Sequence, residues 1–287
     1  MATILVAGAT GALGRHLLTE LKRRGHRTRA LVRDPARLPA DVADEITIAD
    51  LTDDAAPLTS ACHGADIVVS AAGQATTLAR APDRRGFDAV DRAGNERLFA
   101  AARAAGVARA GYVTVFNADR LRGTAYVDAH EAVVAQLRSH GPPATVIRAT
   151  GFFSAHAEIL DAARRGPVPL FAGGRCRSNP VHEADLASVV ADALEREIGE
   201  VAVGGPEVLT RREEAELAFA TLGRRAPLLP MPYAAARGLA ALVRPLDRRR
   251  AETLAFVAAV SSIDMVAPPH GTRRVGEYLR EQAARAG

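Results

Sequence analysis

Short apolar runs alternate with longer amphipathic stretches over the first half of the chain. Ile4–Ala7, Arg27–Val32, Ile46–Ile48, Asp66–Ser70, Gly111–Val115 and Ala144–Ile147 are compact apolar runs and predict strands. Leu13–Arg24, Asp83–Ala105 and Tyr126–Ser139 space their apolar residues three and four apart and predict helices. Gly25, Gly64, Gly106 and Gly141 each come just after a helical stretch, where a C-terminal cap is wanted. Strand–helix–strand repetition predicts an α/β fold with a parallel sheet covered on both faces, and right-handed crossovers make it doubly wound. After Thr150 the rhythm changes. Gly151-Phe152-Phe153 opens a stretch that reads as irregular, broken again at Arg165-Gly166-Pro167 and Gly173-Gly174. Helices return at Glu183–Arg196, Arg211–Leu222, Tyr233–Val243, Arg248–Val260 and Val275–Ala284.

At 287 residues the chain can hold one large α/β domain, or a nucleotide-binding domain with a smaller substrate-binding part. With no long linker in view, the expected division is a core of residues 1–150 and a smaller cap of 151–287 packed on it, together one structural unit. A hydrophobic fraction of 48% excludes general disorder. No apolar run is long enough to span a bilayer, and the first residues lack the basic start and apolar core of a signal peptide. The expectation is a cytoplasmic protein with no membrane partner. Cys62 and Cys176 belong to no C-x-x-C pattern, and no His/Asp/Glu cluster has metal-ligand spacing, so neither a disulfide framework nor a metal site is expected. The net charge of +4 comes from scattered arginines without a helix-turn-helix or zinc-finger signature, so no nucleic-acid partner is expected.

The strongest chemical signal is Gly8-Ala9-Thr10-Gly11-Ala12-Leu13-Gly14, which leaves an apolar strand and opens an amphipathic helix. Gly8 permits the tight turn, Gly11 lets the backbone approach a pyrophosphate, and Gly14 lets the helix pack on the sheet. Free N–H groups and the helix dipole then favour phosphate, with Thr10, Ala12, Leu13 and Arg15 in the same cradle. The cofactor is chosen at the end of the second strand. Arg33 there suits the 2′-phosphate of NADP, while Asp34, if it turned inward, would suit NAD. NADP(H) is expected over NAD(H). Asp50 and Leu51 come after the third strand, and Ala71-Ala72-Gly73 end the fourth with small residues that leave room for a nucleotide.

These residues carry a family resemblance. The chain resembles the NmrA-like branch of the atypical short-chain dehydrogenase/reductases across most of its length. The resemblance lies in the spacing of the glycine loop, in Ala30–Pro35, in Ala49–Asp53 and in Asp66–Gly73. It continues in Thr145–Arg148 with Gly151-Phe152-Phe153, and in Asn179–Ala187. It implies a Rossmann fold, NADPH binding and, for many members, reduction of a carbonyl, quinone or enone. Other members bind the cofactor only as redox sensors or structural subunits.

Typical short-chain dehydrogenases use Tyr-x-x-x-Lys on one helix face. The matching stretch here is Tyr126-Val127-Asp128-Ala129-His130, with His130 where lysine is expected, and Thr114 and Asn117 near the slot of the usual serine. Two readings stand side by side. Tyr126 and His130 donate a proton or hold the ribose near the nicotinamide, or they simply begin a helix that packs on the sheet. Thr114, Gly151 and Phe152 are further candidate cofactor contacts. Phe116, Tyr126, Phe152, Phe153, His156 and His182 are candidate contacts to a small-molecule substrate, although core packing is the commoner use of Phe. Asp185 reads as a helix cap. The functional expectation is an NADPH-dependent reductase. The alternatives are a non-catalytic NADP(H)-binding sensor or assembly protein and, third, an epimerase or dehydratase holding NAD. A homodimer stays open.

Overall fold

The computed structural model describes residues 1–77 and 85–285. The first half builds β1 (Thr3–Ala7), α1 (Ala12–Arg23), β2 (Arg27–Val32), β3 (Glu45–Ile48), α2 (Leu58–Cys62), β4 (Ile67–Ser70), α3 (Asn95–Ala104), β5 (Arg109–Val115), α4 (Ala125–His140) and β6 (Ala144–Ala149). The expected helix start at Asp83 lies outside the described residues. A π-helical turn, Asp88–Gly94, runs straight into α3.

In the second half lie α5 (Phe153–Arg165), β7 (Val168–Phe171), β8 (Arg177–Ser178), α6 (Glu183–Glu195), β9 (Glu200–Val203), β10 (Leu209–Thr210), α7 (Arg211–Thr221), β11 (Leu228–Met231), α8 (Tyr233–Val243), α9 (Arg248–Val260) and α10 (Val275–Arg285). The seven-stranded sheet runs β3-β2-β1-β4-β5-β6-β9, parallel throughout. β1 shows why its run is continuously apolar: Ile4 and Val6 enter the core under α1 and α6, while Leu5 and Ala7 enter the core under α3 and α4.

Two expectations change. The stretch after Thr150 is not irregular, because α5 buries Phe153, His156, Leu160 and Ala163 along one face against α7 and α10. Helical spacing is present there, masked by the flanking glycines. The short run Glu200–Val203 carries little strand signal of its own, yet it closes the sheet edge beside β6. The sheet and α6, which packs on α1, therefore draw on chain beyond Thr150.

The glycines after helices divide into two kinds. Gly25, Gly64 and Gly106 have φ of 82°, 71° and 75°, the left-handed geometry that caps a helix. Gly141 does not: its φ is −81° and ψ 176°, and a Cβ there would stand 2.8 Å from the Cα of Leu137. Its requirement is space, not handedness. Gly141→Ala is expected to cost about 1–3 kcal/mol, as overpacking against backbone does, read as a lower urea midpoint at unchanged slope. A cost below about 1 kcal/mol would refute this account.

Candidate functional site

The strand order reverses between β1 and β4, so a crevice opens at their C-terminal ends. Gly8 leaves β1 at φ 76°, and a Cβ on it would lie 2.6 Å from the carbonyl of Ala71 and the nitrogen of Ala72. Gly14 is tighter still, since its Cβ would fall 2.2 Å from the Gly8 carbonyl oxygen. Gly11 is different. Among the described residues its only close neighbour is the Gly8 oxygen at 3.1 Å, so its outer side is open to them. Gly11 also caps α1 without any side-chain hydrogen bond, and the first turn has no acidic residue. The first N–H groups of α1 are left for an outside acceptor, which fits a dinucleotide pyrophosphate. Leu13 is buried in the sheet core, so only its backbone can serve; Thr10 and Ala12 are half-buried and Arg15 is exposed.

At the end of β2, Asp34 turns its carboxylate into the next turn, where it accepts the Ala36 N–H at 3.0 Å. The inward Asp34 that would suit NAD is absent from this arrangement. Arg33 is half-exposed and lies 4.0 Å from Asp50. Asp50 accepts Thr52 N–H and hydroxyl at 2.9 and 2.8 Å, and Arg85 at 3.0 Å. Although burial opposes it, these contacts hold the Asp50 carboxyl below its usual range. Arg85 thus brings a second guanidinium to the Asp50 carboxylate beside Arg33, which pattern reasoning misses because Arg85 lies far from both along the chain. Leu51 packs in the core.

Beyond β4, Ala71 and Ala72 pass into Gly73, where a Cβ would meet Asp91 at 2.8 Å. Asp91 is fully buried and accepts the Gln74 N–H at 3.0 Å. Asn95 ties the turn together by donating to Ala72, Val90 and Asp91 carbonyls. His130 lies in this interior. Its Nδ1 shares a 2.8 Å hydrogen bond with the Tyr112 hydroxyl, and its Nε2 faces Asp91 at 3.5 Å. His130 is thus buried, with its two ring nitrogens turned to Tyr112 and Asp91. Tyr126 stacks edge-on to Phe87 and His130 at 5.1 and 4.5 Å and tilts against Phe256 at 4.5 Å. Burial, with the Asp91 charge, pushes its phenol above the ordinary value. The buried Thr114 hydroxyl has no hydrogen-bond partner among the described residues. Phe116 packs with Tyr126 in the cluster around Phe256 and Met265.

At the substrate end, Val181 donates to the Gly151 carbonyl at 2.9 Å and the Thr150 hydroxyl to the Asn179 carbonyl at 2.7 Å. Phe152 is half-buried at this edge. Phe153 is only 1% exposed and belongs to the cap core, so it offers no face to a substrate. His156 is buried between the Phe152 carbonyl and Glu214. His182 is the cap of α6, its Nδ1 accepting the Ala184 N–H at 3.0 Å. This is the capping role expected of Asp185, which instead pairs with Arg273 and accepts the Thr272 and Arg273 N–H groups. Residue type alone suggests the carboxylate as cap, whereas its partner lies far along the chain. Among the described residues no group of three His, Cys, Asp or Glu could hold a metal ion.

The family described as NAD(P)H-binding matches residues 8–197. The chain is 30% identical to a chloroplastic divinyl chlorophyllide a 8-vinyl-reductase of Zea mays, over 80% of this chain and 62% of that one. It is 29% identical to a (4-alkanoyl-5-oxo-2,5-dihydrofuran-3-yl)methyl phosphate reductase of Streptomyces griseus, over 77% and 74%. The chain spans about three fifths of the length of the vinyl-reductases it matches. The fold is shared with an NADPH-dependent quinone oxidoreductase of Escherichia coli solved with NADPH, at TM-score 0.72 and 21% identity over 97% of this chain and 99% of that one.

Proposed function

The chain belongs to the NAD(P)H-binding family of NmrA-like, atypical short-chain dehydrogenase/reductases, and from that premise we propose that it is an NADPH-dependent reductase of a small organic quinone, enone or carbonyl. The observation that carries this reading is the open, uncapped α1 N-terminus at Gly11 beside the β1–β4 crevice. Its relatives of Zea mays and Streptomyces griseus are named as reductases, which supports the same direction. Residues 1–150, with α6 and β9, would hold the cofactor, and the rest of 151–287 would shape the substrate side.

In this reading the backbone of Gly8–Gly14 binds the pyrophosphate, and Arg33, with Arg85 beside it, takes the 2′-phosphate. Ala71–Gly73, Thr114, Gly151 and Phe152 border the nicotinamide half. The bound cofactor supplies the hydride. Tyr126 is the proposed proton donor: a phenol is protonated at neutral pH, and burial raises this one further. His130, held by Tyr112 and Asp91, positions the Tyr126 ring. A phenol with a raised pKa is a weak acid. It serves best where the reduced substrate delocalises its charge, which favours quinones and enones over simple carbonyls.

The test is loss of NADPH absorbance with panels of quinones, enones and aldehydes. Turnover with at least one delocalised acceptor is expected, with Tyr126→Phe lowering kcat about 100-fold at unchanged NADPH affinity. Tight NADPH binding without turnover of any acceptor would leave the sensor reading, which the interior placement of His130 favours. Calorimetric titration checks the cofactor choice. Arg33→Ala is expected to weaken NADPH binding about 10- to 100-fold, the loss of one charge-assisted contact, and to leave NADH binding unchanged. Equal losses for both would remove Arg33 from the 2′-phosphate.

A further inference from the structure

Between Glu216 and Asp247 the chain carries no carboxylate and four arginines, Arg224, Arg225, Arg237 and Arg244. Within this stretch lies α8, whose inner residues Ala236 and Ala240 are buried against α9. Its outer face is apolar, and no described residue covers it. Leu239 is 44% exposed, Leu242 73%, and Leu246 in the turn beyond the helix 91%. At 3.6 residues per turn, Leu239 and Leu242 share one flank of this face, and Arg237 and Arg244 share the other. Ala234, Gly238 and Ala241 lie between them, exposed and small. Neither Arg237 nor Arg244 forms an ion pair with a described residue.

We propose that α8 and the turn after it form a docking face for an anionic membrane surface. Leu239, Leu242 and Leu246 enter the boundary between headgroups and acyl chains, and Arg237 and Arg244 meet lipid phosphates. An apolar flank, a basic flank and no acidic residue are what an interfacial helix needs: burial of leucine supplies affinity, and fixed positive charge selects anionic lipid. A second copy of the chain fits the same face poorly. Antiparallel two-fold pairing of α8 with itself would bring Arg237 and Arg244 towards the partner's own arginines, and parallel two-fold pairing would set them against the partner's leucines, with no acid on the helix to receive them in either case. Contact of this kind needs no span, and no helix among the described residues is long and apolar enough to cross a membrane. It departs from the expectation of no membrane partner, which rests on the lack of such a span. The proposal is independent of the reductase reading.

The full chain is sedimented with vesicles of phosphatidylcholine alone and of phosphatidylcholine mixed with phosphatidylglycerol, at low and high salt. Binding to the anionic vesicles at least about tenfold stronger than to the neutral ones is expected, weakened by salt. Leu242→Glu with Leu246→Glu, and separately Arg237→Glu with Arg244→Glu, are each expected to reduce it at least about tenfold. Both pairs sit on the surface, so thermal unfolding and NADPH affinity stay as in the wild type. Absence of binding, equal binding to both vesicles, or binding that survives either pair overturns the proposal. A dimer in solution that Leu242→Glu dissociates, with no vesicle binding, overturns it in favour of a second copy.

Discussion

Gly14→Ala is expected to abolish useful cofactor binding while Gly11→Ala leaves the fold intact. A Cβ on Gly14 would stand 2.2 Å from the Gly8 carbonyl oxygen and 2.8 Å from the Ala9 Cα. Both are backbone atoms, and a Cβ on Gly8 would itself meet the β4 turn. The strain cannot be shed by a side-chain rotation; α1 must lift from the loop. Overpacking of this kind costs about 1–3 kcal/mol of stability. Displacing the first N–H groups of α1 would remove two or more charge-assisted contacts to phosphate, each about 1.5–3 kcal/mol, or about 10²- to 10⁴-fold in affinity. Among the described residues Gly11→Ala meets only one atom, at 3.1 Å, and it keeps an allowed backbone at φ −73°. Its stability should stay within about 1 kcal/mol of wild type, yet its methyl would project where the pyrophosphate approaches, so NADPH affinity should still fall. Calorimetric titration and urea unfolding of both variants separate these effects. If Gly14→Ala bound NADPH as the wild type does, the close approach of α1 would have no part in the site.

The second large effect is expected far from the crevice. Glu214, on α7, is 1% exposed. It accepts from the Ser178 hydroxyl and from Arg211 at 3.1 Å, with His156 Nε2 at 3.5 Å. Arg211 reaches on to the Val260 carbonyl at the end of α9. One carboxylate thus fastens α5, β8, α7 and α9. Burial works against its charge, but Arg211, His156 and Ser178 hold its pKa down to about 2, against an ordinary 4.5. Because the folded-state value is the lower one, the contribution is full above about pH 4.5 and fades as pH falls towards 2. The shift corresponds to about 3 kcal/mol. Glu214→Ala is expected to cost about 3–5 kcal/mol at neutral pH, since it leaves the half-buried Arg211 and the buried His156 and Ser178 without their shared acceptor. The same variant should lose much of the wild type's decline in stability between pH 4.5 and 2. Unfolding in urea across that range measures both. A cost under about 1 kcal/mol, or an unchanged acid decline, would show that the cluster does not hold the cap.

His182 illustrates how local patterns and long-range contacts divide the information. A helix start at Glu183 is legible from spacing, and some residue must cap it. The choice of His182 over Asp185 depends on Arg273, far downstream, which claims the Asp185 carboxylate. His130 is a similar case. Its place four residues after Tyr126 is a property of the helix, but its partners Tyr112 and Asp91 come from β5 and the π-helical turn, and nothing near it in sequence points to them.

The sequence by itself determined the α/β alternation, the parallel sheet under two helical layers, the glycine loop and its cofactor class. Those features arise from interactions within a few residues: apolar period, backbone freedom at Gly8, and the adjacency of strand and helix around Gly11. Only the tertiary structure decided that Glu200–Val203 completes the sheet, that Phe153 and His156 are interior, and that Asp34 turns away while Arg85 joins Arg33. Each of those outcomes depends on which distant surface covers a side chain or receives its hydrogen bonds, and that is a property of the packed chain, not of any window along it.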